Sequence, residues 1–477
     1  MRYARIWALA GLGVSVTSVA AGGCKSKETT GGQTQTQAAE SLPSVHTPAS
    51  LGGDGGALAP GEARASGATD QACEPLTEAQ LTLEPYDKTV AGDVENPPVL
   101  DEKASLAPLY EHLAALARKR TQRHVRLGFY GDSNMTMDFI SGGMRRFLQK
   151  KFGDGGHGFV ALARPWGWYR HMDVRHDVAE SSWSHFATST HPTWDGQYGL
   201  SNICAESKTP GAWSWVETAK DDAPIGQKAS SIDVYYMKRP VAGAFEIKVD
   251  GKVVKEVDAK AETIESAFEH LDVPDGPHKL AIAVTKGRVR MLGATLERTE
   301  PSVIVDSFGV GSLNFDQFNR VSAESRDPML KRRGYDLVMF MLGTNVFATE
   351  EKTVKDVELI VKWYRAALPD VPLLFLSPPD QDEGKGKPAR SARHVIKMGA
   401  LVKRIAEANG VGFWDFRGAM GGDDSMGKFS KAGYADWDFT HFREKGGQLM
   451  GERLSHALFA GLRDYAKKNP RAGCKEK

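Results

Sequence analysis

Three groups of polar residues have the types and the spacing that acyl transfer requires. Ser133 stands just after a short apolar run and a Gly-Asp pair, where its hydroxyl could serve as a nucleophile. Asp438 and His441 are three residues apart, so the carboxylate could hold one imidazole nitrogen while the other faces a serine hydroxyl. Asn345 ends a second apolar run, where its amide could donate a hydrogen bond to a developing oxyanion.

Each of these groups also has a simpler interpretation. Ser133 could be the N-cap of a helix, Asn345 a turn residue and His441 a surface histidine. Their predicted positions favour the chemical interpretation, because Ser133 and Asn345 both follow predicted strands. In open α/β proteins, the carboxyl ends of the strands form the edge of the sheet where active sites lie.

The periodicity of apolar residues predicts the elements that position these groups. A helix is predicted over residues 104–119 and a strand over 124–130, followed after Ser133 by another helical period. The alternation continues with strands over 303–308, 337–342, 373–376 and 411–416, and helices over 359–367, 396–408 and 450–462. This alternation predicts the α/β class with an open, doubly wound parallel sheet.

The pattern changes between residues 163 and 300, where short alternating runs replace the helical period. Asp250 and Gly251 stand between two of these runs as a hairpin signal. The pattern predicts an all-β sandwich inserted between the first helix and the second strand of the α/β domain. Aromatic residues are most often core, but some here could stack on sugar rings. The candidates are Trp166, Trp168, Trp194 and Trp213.

Composition excludes several classes of protein. The 477 residues include 61 Lys+Arg and 60 Asp+Glu, so no global field attracts nucleic acid. The sequence has no P-loop, no G-x-G-x-x-G at a strand end and no C-x-x-C pair, and no cofactor is predicted.

A cluster of histidine and aspartate has a spacing that does not align on a helix face, which favours a solvated loop over a metal site. Its members are His171, Asp173, His176 and Asp177.

The N-terminal segment has the features of an export signal. Arg2 and Arg5 precede an uncharged run rich in small residues, and the segment 1–24 resembles a bacterial lipoprotein signal that ends in a lipidated cysteine, Cys24. Ala21 departs from the larger aliphatic residue usual at its position. Lipidation would anchor an exported protein in the bacterial cell envelope, and cleavage nearby that leaves Cys24 a plain thiol is the alternative.

Residues 25–72 contain no aromatic residue and are predicted to form a disordered tether, because they offer too little apolar surface to offset their ordering entropy. Cys73 and Cys474 bracket the folded region. A disulfide between them is one possible pairing in an oxidising compartment, since the termini of a domain often lie close together. Cys204 would then be a buried or free thiol.

Together, and in this order, the polar groups resemble the SGNH (GDSL) hydrolase superfamily. Ser133 matches the block-one serine, Asn345 the block-three asparagine, and Asp438 with His441 the final D-x-x-H. The resemblance implies a flavodoxin-like α/β fold. It also implies a catalytic triad of Ser133, Asp438 and His441.

The second block of the superfamily supplies a glycine to the oxyanion hole. Here it should follow the second strand, where Gly311 is preferred, with Gly309 and the amide of Ser312 as alternatives. The implied oxyanion donors are therefore the amides of Ser133 and Gly311 and the side chain of Asn345. Val346 departs from the acidic residue that many members carry after that asparagine.

A closer similarity concerns residues 138–146 and 152–160 together with the inserted domain. These features resemble bacterial peptidoglycan O-acetylesterases that carry an inserted jelly-roll domain of carbohydrate-binding type. The members usually have histidine where this chain has Asn134. The predicted hydrolase domain then comprises residues 73–165 and 301–468, and the inserted β domain residues 166–300.

The implied function is removal of O-acetyl groups from a cell-wall polysaccharide, with peptidoglycan favoured. The implied partners are an acetylated glycan and, through the N-terminal lipid, a membrane, with no nucleic acid. Two alternatives stay open: an esterase or acyltransferase acting on another acetylated polysaccharide or a lipid, and a non-catalytic carbohydrate-binding lipoprotein.

Overall fold

A computed structural model describes residues 73–86, 94–383 and 390–475 of the chain. The predicted signal segment 1–24 with Cys24, and the predicted tether 25–72, lie outside the described residues. Within the described ranges, no helix has the length and hydropathy needed to cross a membrane.

The described residues form strands and helices in an alternating order that is interrupted by a long run of strands. The strands in chain order are β1 (Val125–Gly131), β2 (Gly156–Val160), β3 (Arg175–Val178), β4 (Ser184–Ala187), β5 (Ile203–Ser207), β6 (Trp213–Glu217), β7 (Ala229–Lys238), β8 (Ala244–Val249), β9 (Lys252–Asp258), β10 (Glu265–Gly276), β11 (Lys279–Lys286), β12 (Val289–Glu297), β13 (Val303–Gly309), β14 (Leu337–Met341), β15 (Leu373–Leu376) and β16 (Gly412–Trp414). The helices are α1 (Glu78–Leu81), α2 (Ala107–Ala117), α3 (Phe139–Phe152), α4 (Phe315–Phe318), α5 (Ala323–Arg333), α6 (Glu350–Ala367), α7 (Arg393–Asn409), α8 (Phe416–Met420), α9 (Ser425–Lys431) and α10 (Glu444–Lys468).

The α/β domain contains a parallel sheet with the strand order β13-β1-β14-β15-β16. Gly131 at the end of β1 is in register with Gly309 of β13 and with Met341 of β14, so the three strands end at the same level. Phe129 of β1 packs in one core with α3 and α10, whereas its neighbour Tyr130 packs in a second core with α6. Helices therefore cover both faces, and the predicted doubly wound sheet is confirmed.

Helices α3 and α10 pack closely because glycines line their contact. A Cβ added to Gly143 of α3 would lie 2.6 Å from the Cα of Gln448. A Cβ added to Gly447 of α10 would lie 2.4 Å from the Cβ of Phe139. Since α3 begins shortly after Ser133 and α10 begins shortly after His441, this packing sets how near those two segments come.

The inserted domain is a sandwich of two antiparallel sheets, as predicted. One sheet has the order β10-β7-β12-β5-β4 with β2 also paired to β12, and the other has the order β3-β6-β11-β8-β9. A buried core that includes Tyr236 and Phe245 lies between them. The first sheet begins at Gly156, ten residues before the predicted boundary at residue 166. Strand β2 follows α3 directly and pairs with β12 in this sheet.

Hydrogen bonds attach the inserted domain to the edge strand of the parallel sheet. Asp306 of β13 is buried and accepts a hydrogen bond from the backbone N–H of Phe159 in β2, at 2.8 Å. Arg333 donates two hydrogen bonds to the same carboxylate, and the hydroxyl of Tyr335 donates a third at 2.6 Å. A buried carboxylate needs such partners to offset its lost hydration, so this contact fixes β2 against β13.

A disulfide joins the two ends of the described region, which confirms one of the possible pairings. Cys73 and Cys474 form a disulfide with a Cα–Cα distance of 6.1 Å and a separation of 401 residues. Cys204 is a buried free thiol in β5, and burial raises its pKa to about 12. Helix α5 was not among the predicted elements, since Pro328 interrupts a segment that is also rich in charged residues.

We predict that Gly447→Ala destabilises the protein and slows its reaction, because the new methyl group forces α10 away from α3. Overpacking of this kind usually lowers the free energy of unfolding by about 1–3 kcal/mol. Gly399→Ala in α7 is the matched control, since its new Cβ would approach Ser377 Cβ only to 3.3 Å. Denaturant unfolding and kcat measured on both variants test the prediction, which fails if Gly447→Ala behaves like the control.

Candidate active site

Ser133 stands on a tight turn at the carboxyl end of β1. Residues Ser133–Met135 form a single 3-10 turn that Asp132 caps, because its side chain accepts a hydrogen bond from the N–H of Asn134 at 3.0 Å. The hydroxyl of Thr136 donates to the carbonyl oxygen of Ser133 at 2.8 Å and closes the turn. Asp132 is fully buried, and burial raises the pKa of its carboxyl group.

The structure brings Ser133, His441 and Asp438 into one hydrogen-bonded chain. Nε2 of His441 lies 2.8 Å from Oγ of Ser133, and Nδ1 of His441 lies 2.7 Å from Oδ2 of Asp438. The other carboxylate oxygen of Asp438 accepts hydrogen bonds from the backbone N–H groups of His441 and Thr440, at 3.0 and 2.9 Å. The loop thus orients the carboxylate, and the carboxylate orients the imidazole.

The charges around His441 favour its protonated form. Burial by itself would lower the pKa of His441, but the hydrogen bond and the negative charge of Asp438 outweigh burial and raise that pKa above its ordinary value. For Asp438, burial acts to raise the pKa. The hydrogen bonds from His441 and Thr440 outweigh it and lower the pKa. An imidazole of raised basicity is suited to accept a proton from a hydroxyl group.

The candidate oxyanion donors lie on the loops after β13 and β14. The side-chain amide of Asn345 reaches the β13 loop, where it lies 3.5 Å from the carbonyl oxygen of Leu313 as donor. The carbonyl oxygen of Gly311 accepts a hydrogen bond from the Ser189 hydroxyl at 2.7 Å, which holds the peptide between Gly311 and Ser312, next to the candidate donor N–H of Gly311. Gly309, one of the alternatives, lies against the serine turn, because an added Cβ would lie 2.2 Å from the carbonyl carbon of Met135.

Two comparisons with known proteins agree with this geometry. The model of the GDSL-like lipase/acylhydrolase family matches residues 279–449, a range that contains Asn345, Asp438 and His441. The chain carries an SGNH hydrolase domain of this family. It is therefore a carboxylic ester hydrolase. Ser133 lies outside the matched range because the inserted domain separates it from the rest of the motif set.

One solved structure shows the same fold. A peptidoglycan O-acetylesterase is 24% identical to this hydrolase, with a TM-score of 0.65, over 77% of this chain and 99% of that one. A family two carbohydrate esterase from Clostridium thermocellum, solved with cellohexaose, is 14% identical over 59% of this chain and 99% of that one, with a TM-score of 0.27. A search of curated proteins finds no match.

Asn134 of the hydrolase joins the serine turn to the histidine loop. Its Oδ1 accepts a hydrogen bond from the backbone N–H of Phe442 at 3.2 Å, and its side chain is buried. This contact crosses 308 residues of sequence and holds the residue after His441 against the residue after Ser133. The sequence shows Asn134 only as a departure from the esterases it resembles, because nothing local indicates a partner so distant in the chain.

A cleft of about 480 Å³ opens beside the serine turn, between the inserted domain and the β13 loop. Trp166 and Trp168 line it together with Gly311, and the two indole rings lie 6.4 Å apart. Trp168 is 48% exposed. Two other candidate aromatics do not line this cleft: Trp194 is 91% exposed, and Trp213 lies in β6 of the second sheet.

The histidine and aspartate cluster has structural contacts. Asp173 accepts two hydrogen bonds from Arg146, both at 2.7 Å. His171 is buried beside Asp138, and burial lowers its pKa to about 4, so the prediction of a solvated loop was wrong for this residue. The loop packs onto α3, which removes the side chain from water.

We predict that kcat/KM falls at low pH with a midpoint above the ordinary histidine pKa of about 6.5, because His441 must be neutral to accept the serine proton. Asp438→Asn removes the charge that raises this pKa, so the midpoint should move to lower pH. Loss of the orienting carboxylate should also lower kcat by about two to four orders of magnitude.

Asp464→Asn is the control for this pH profile. Asp464 lies near the C-terminal end of α10, where it forms an ion pair with Lys467 at 3.7 Å. This variant should keep kcat near that of the wild type. If the low-pH midpoint of kcat/KM does not move in Asp438→Asn, His441 is not the titrating base.

We predict that Asn134→Ala lowers kcat by roughly tenfold with little change in KM, because one lost hydrogen bond of about 1–1.5 kcal/mol loosens the histidine loop. Asn319→Ala is the matched control, since Asn319 donates a single side-chain hydrogen bond to the Asp356 carbonyl away from the site. Steady-state kinetics on an aryl acetate measure both variants. If Asn134→Ala and Asn319→Ala have the same kcat, Asn134 does not position the histidine loop.

Proposed function

We propose that this SGNH hydrolase is a serine esterase that removes O-acetyl groups from a cell-wall polysaccharide, and that the polysaccharide is peptidoglycan. The proposal rests on the contact of 2.8 Å between Ser133 Oγ and His441 Nε2. This contact lies beside a cleft that residues of the inserted domain line. A peptidoglycan O-acetylesterase shares the fold over 99% of its own length, which supports this substrate class.

The proposed reaction is acyl transfer to water in two steps. Oγ of Ser133 attacks the carbonyl carbon of the acetyl ester while Nε2 of His441 takes the hydroxyl proton. The tetrahedral intermediate collapses, the bond to the sugar oxygen breaks, and that oxygen receives the proton from His441. A water molecule then attacks the acetyl-serine ester with His441 again as the base, which releases acetate and restores Ser133.

Three donors are proposed to stabilise the oxyanion of each tetrahedral intermediate: the backbone amides of Ser133 and Gly311 and the side chain of Asn345. Gly311 and Asn345 come from the strands on either side of β1, so they flank the serine. Donors that are already fixed in the resting enzyme stabilise the developing charge without a cost of reorganisation. Asp438 stabilises the imidazolium that forms at His441. This chemistry requires no cofactor.

The shape of the site supports a sugar substrate. Trp166 and Trp168 offer aromatic rings to a ligand in the cleft, and such rings stack on the apolar faces of sugars. An esterase or acyltransferase that acts on another acetylated polysaccharide or on a lipid is the alternative. The assembled triad argues against the other alternative, a non-catalytic carbohydrate-binding lipoprotein.

The proposed location is the cell envelope. Residues 1–24 would direct export and Cys24 would carry the lipid, while residues 25–72 would let the enzyme reach the wall from the membrane. The disulfide between Cys73 and Cys474 supports an oxidising compartment. Metabolic labelling with a fatty acid, compared between the wild type and Cys24→Ala, tests the anchor.

The test of substrate class measures acetate release from O-acetylated peptidoglycan, acetylated xylan and a long-chain ester in parallel. Highest kcat/KM on peptidoglycan supports the proposal. A preference for xylan would assign another polysaccharide, and a preference for the long-chain ester would assign a lipid.

We predict that Ser133→Ala folds normally but loses esterase activity by about three orders of magnitude or more, since only binding and the oxyanion donors remain. Aryl acetate turnover measures the loss, and an unchanged thermal unfolding midpoint shows that the fold is intact. Turnover like that of the wild type would exclude Ser133 as the nucleophile.

We predict that Trp168→Ala lowers kcat/KM on the acetylated polysaccharide while turnover of a small aryl acetate stays near that of the wild type. The stacking contact holds only the polymer, so its loss affects only the larger substrate. Trp194→Ala is the matched control, because Trp194 is also exposed but does not line the cleft. Equal losses on both substrates would show that Trp168 is structural.

A further inference from the structure

An exposed phenylalanine lies on the side of Ser133 opposite the inserted domain. The strand order places β13 on one side of β1 and β14 on the other. Gly311, after β13, lines the cleft with Trp166 and Trp168. Phe347, two residues after Asn345, belongs to the loop that follows β14. Ser133 therefore lies between the tryptophan pair and this phenylalanine along the edge of the sheet.

Phe347 is 81% exposed, and its position is constrained by two contacts. Its ring lies 5.4 Å from the ring of His394, at an interplanar angle of 34°. Nε2 of His394 lies 3.2 Å from the carbonyl oxygen of Thr344, which ties the histidine to the same loop. The ring is thus supported on one side and open to solvent elsewhere. Single exposed apolar residues are common, so only its place beside Asn345 makes this ring informative.

We propose that Phe347 is a sugar-binding platform, and that the glycan runs across the carboxyl ends of β13, β1 and β14 with sugar residues on both sides of Ser133. The inference rests on the proposed function and extends it, because it requires that the acetylated sugar lie within the glycan chain, with neighbouring sugars bound on both sides of Ser133. Neighbouring strands lie about 4.8 Å apart, so the distance from the end of β13 to the end of β14 is roughly 10 Å. That distance exceeds the width of one sugar ring.

The chemistry of the platform distinguishes a sugar from a lipid. A phenyl ring binds a sugar through its flat face, which meets the C–H groups of the pyranose. A hydrocarbon chain needs only apolar surface, which a leucine side chain supplies equally well. Replacement of the ring by an aliphatic group of similar hydrophobicity therefore separates the two ligands.

The experiment compares Phe347→Ala, Phe347→Leu and Phe347→Trp on O-acetylated peptidoglycan strands and on an aryl acetate. We expect kcat/KM on the polymer to fall about 5- to 10-fold in Phe347→Ala and Phe347→Leu and to be retained in Phe347→Trp, as for the loss of one aromatic contact. Aryl acetate turnover should stay within twofold in all three variants. Phe268→Ala, at an exposed phenylalanine of β10 in the inserted domain, is the matched control and should change neither activity.

Several outcomes would overturn the inference. Full activity of Phe347→Ala on the polymer would remove the residue from the substrate path, and recovery in Phe347→Leu would indicate general apolar contact. If the wild type releases acetate from xylan but not from peptidoglycan, the proposed function fails and the same variants on xylan still test the platform. If the wild type hydrolyses only the aryl acetate and the long-chain ester, both proposals are wrong.

Discussion

The close packing of α3 against α10 is the constraint on which the active site depends. Gly143 and Gly447 place no side chain of their own in the contact, so the two helices approach there to distances that a methyl group would prevent. Ser133 precedes α3 and His441 precedes α10. The hydrogen bond from the Phe442 N–H to Asn134 Oδ1 joins the two segments just before these helices begin. The hydrogen bond of 2.8 Å between Ser133 and His441 is thus set by helix packing rather than by the local sequence.

A second constraint holds the inserted domain in a fixed position. Strand β2 follows α3 directly and binds Asp306 of the edge strand β13, while Arg333 supplies the charge that balances this buried carboxylate. The domain is therefore attached by buried hydrogen bonds instead of a flexible linker. Strand β13 also leads to Gly311. The same strand therefore positions both the inserted domain, which lines the cleft, and the proposed oxyanion donor. The proposed function therefore requires no large domain movement.

Much of the fold could be predicted from apolar periodicity, because the buried strands and amphipathic helices have strong local patterns. The prediction failed where local pattern and tertiary packing disagree. Helix α5 was not predicted, because Pro328 and a run of charged residues hide its apolar period. Arg333 at the end of this helix nevertheless donates hydrogen bonds to the buried Asp306. His171 was expected in water, yet the loop that carries it packs onto α3 and buries it. The start of the inserted sheet at β2 depends on pairing with β12, more than 130 residues later.

The sequence by itself determined the fold class, the residue types able to perform acyl transfer and their order along the chain. These properties follow from local periodicity and from motif spacing, which short segments carry. Only the tertiary structure decided that Ser133, His441 and Asp438 meet in one hydrogen-bonded chain, and that Trp166 and Trp168 line the cleft while Trp194 and Trp213 do not. Such contacts join segments that lie hundreds of residues apart, and their distances depend on how helices and sheets pack, which no single segment encodes.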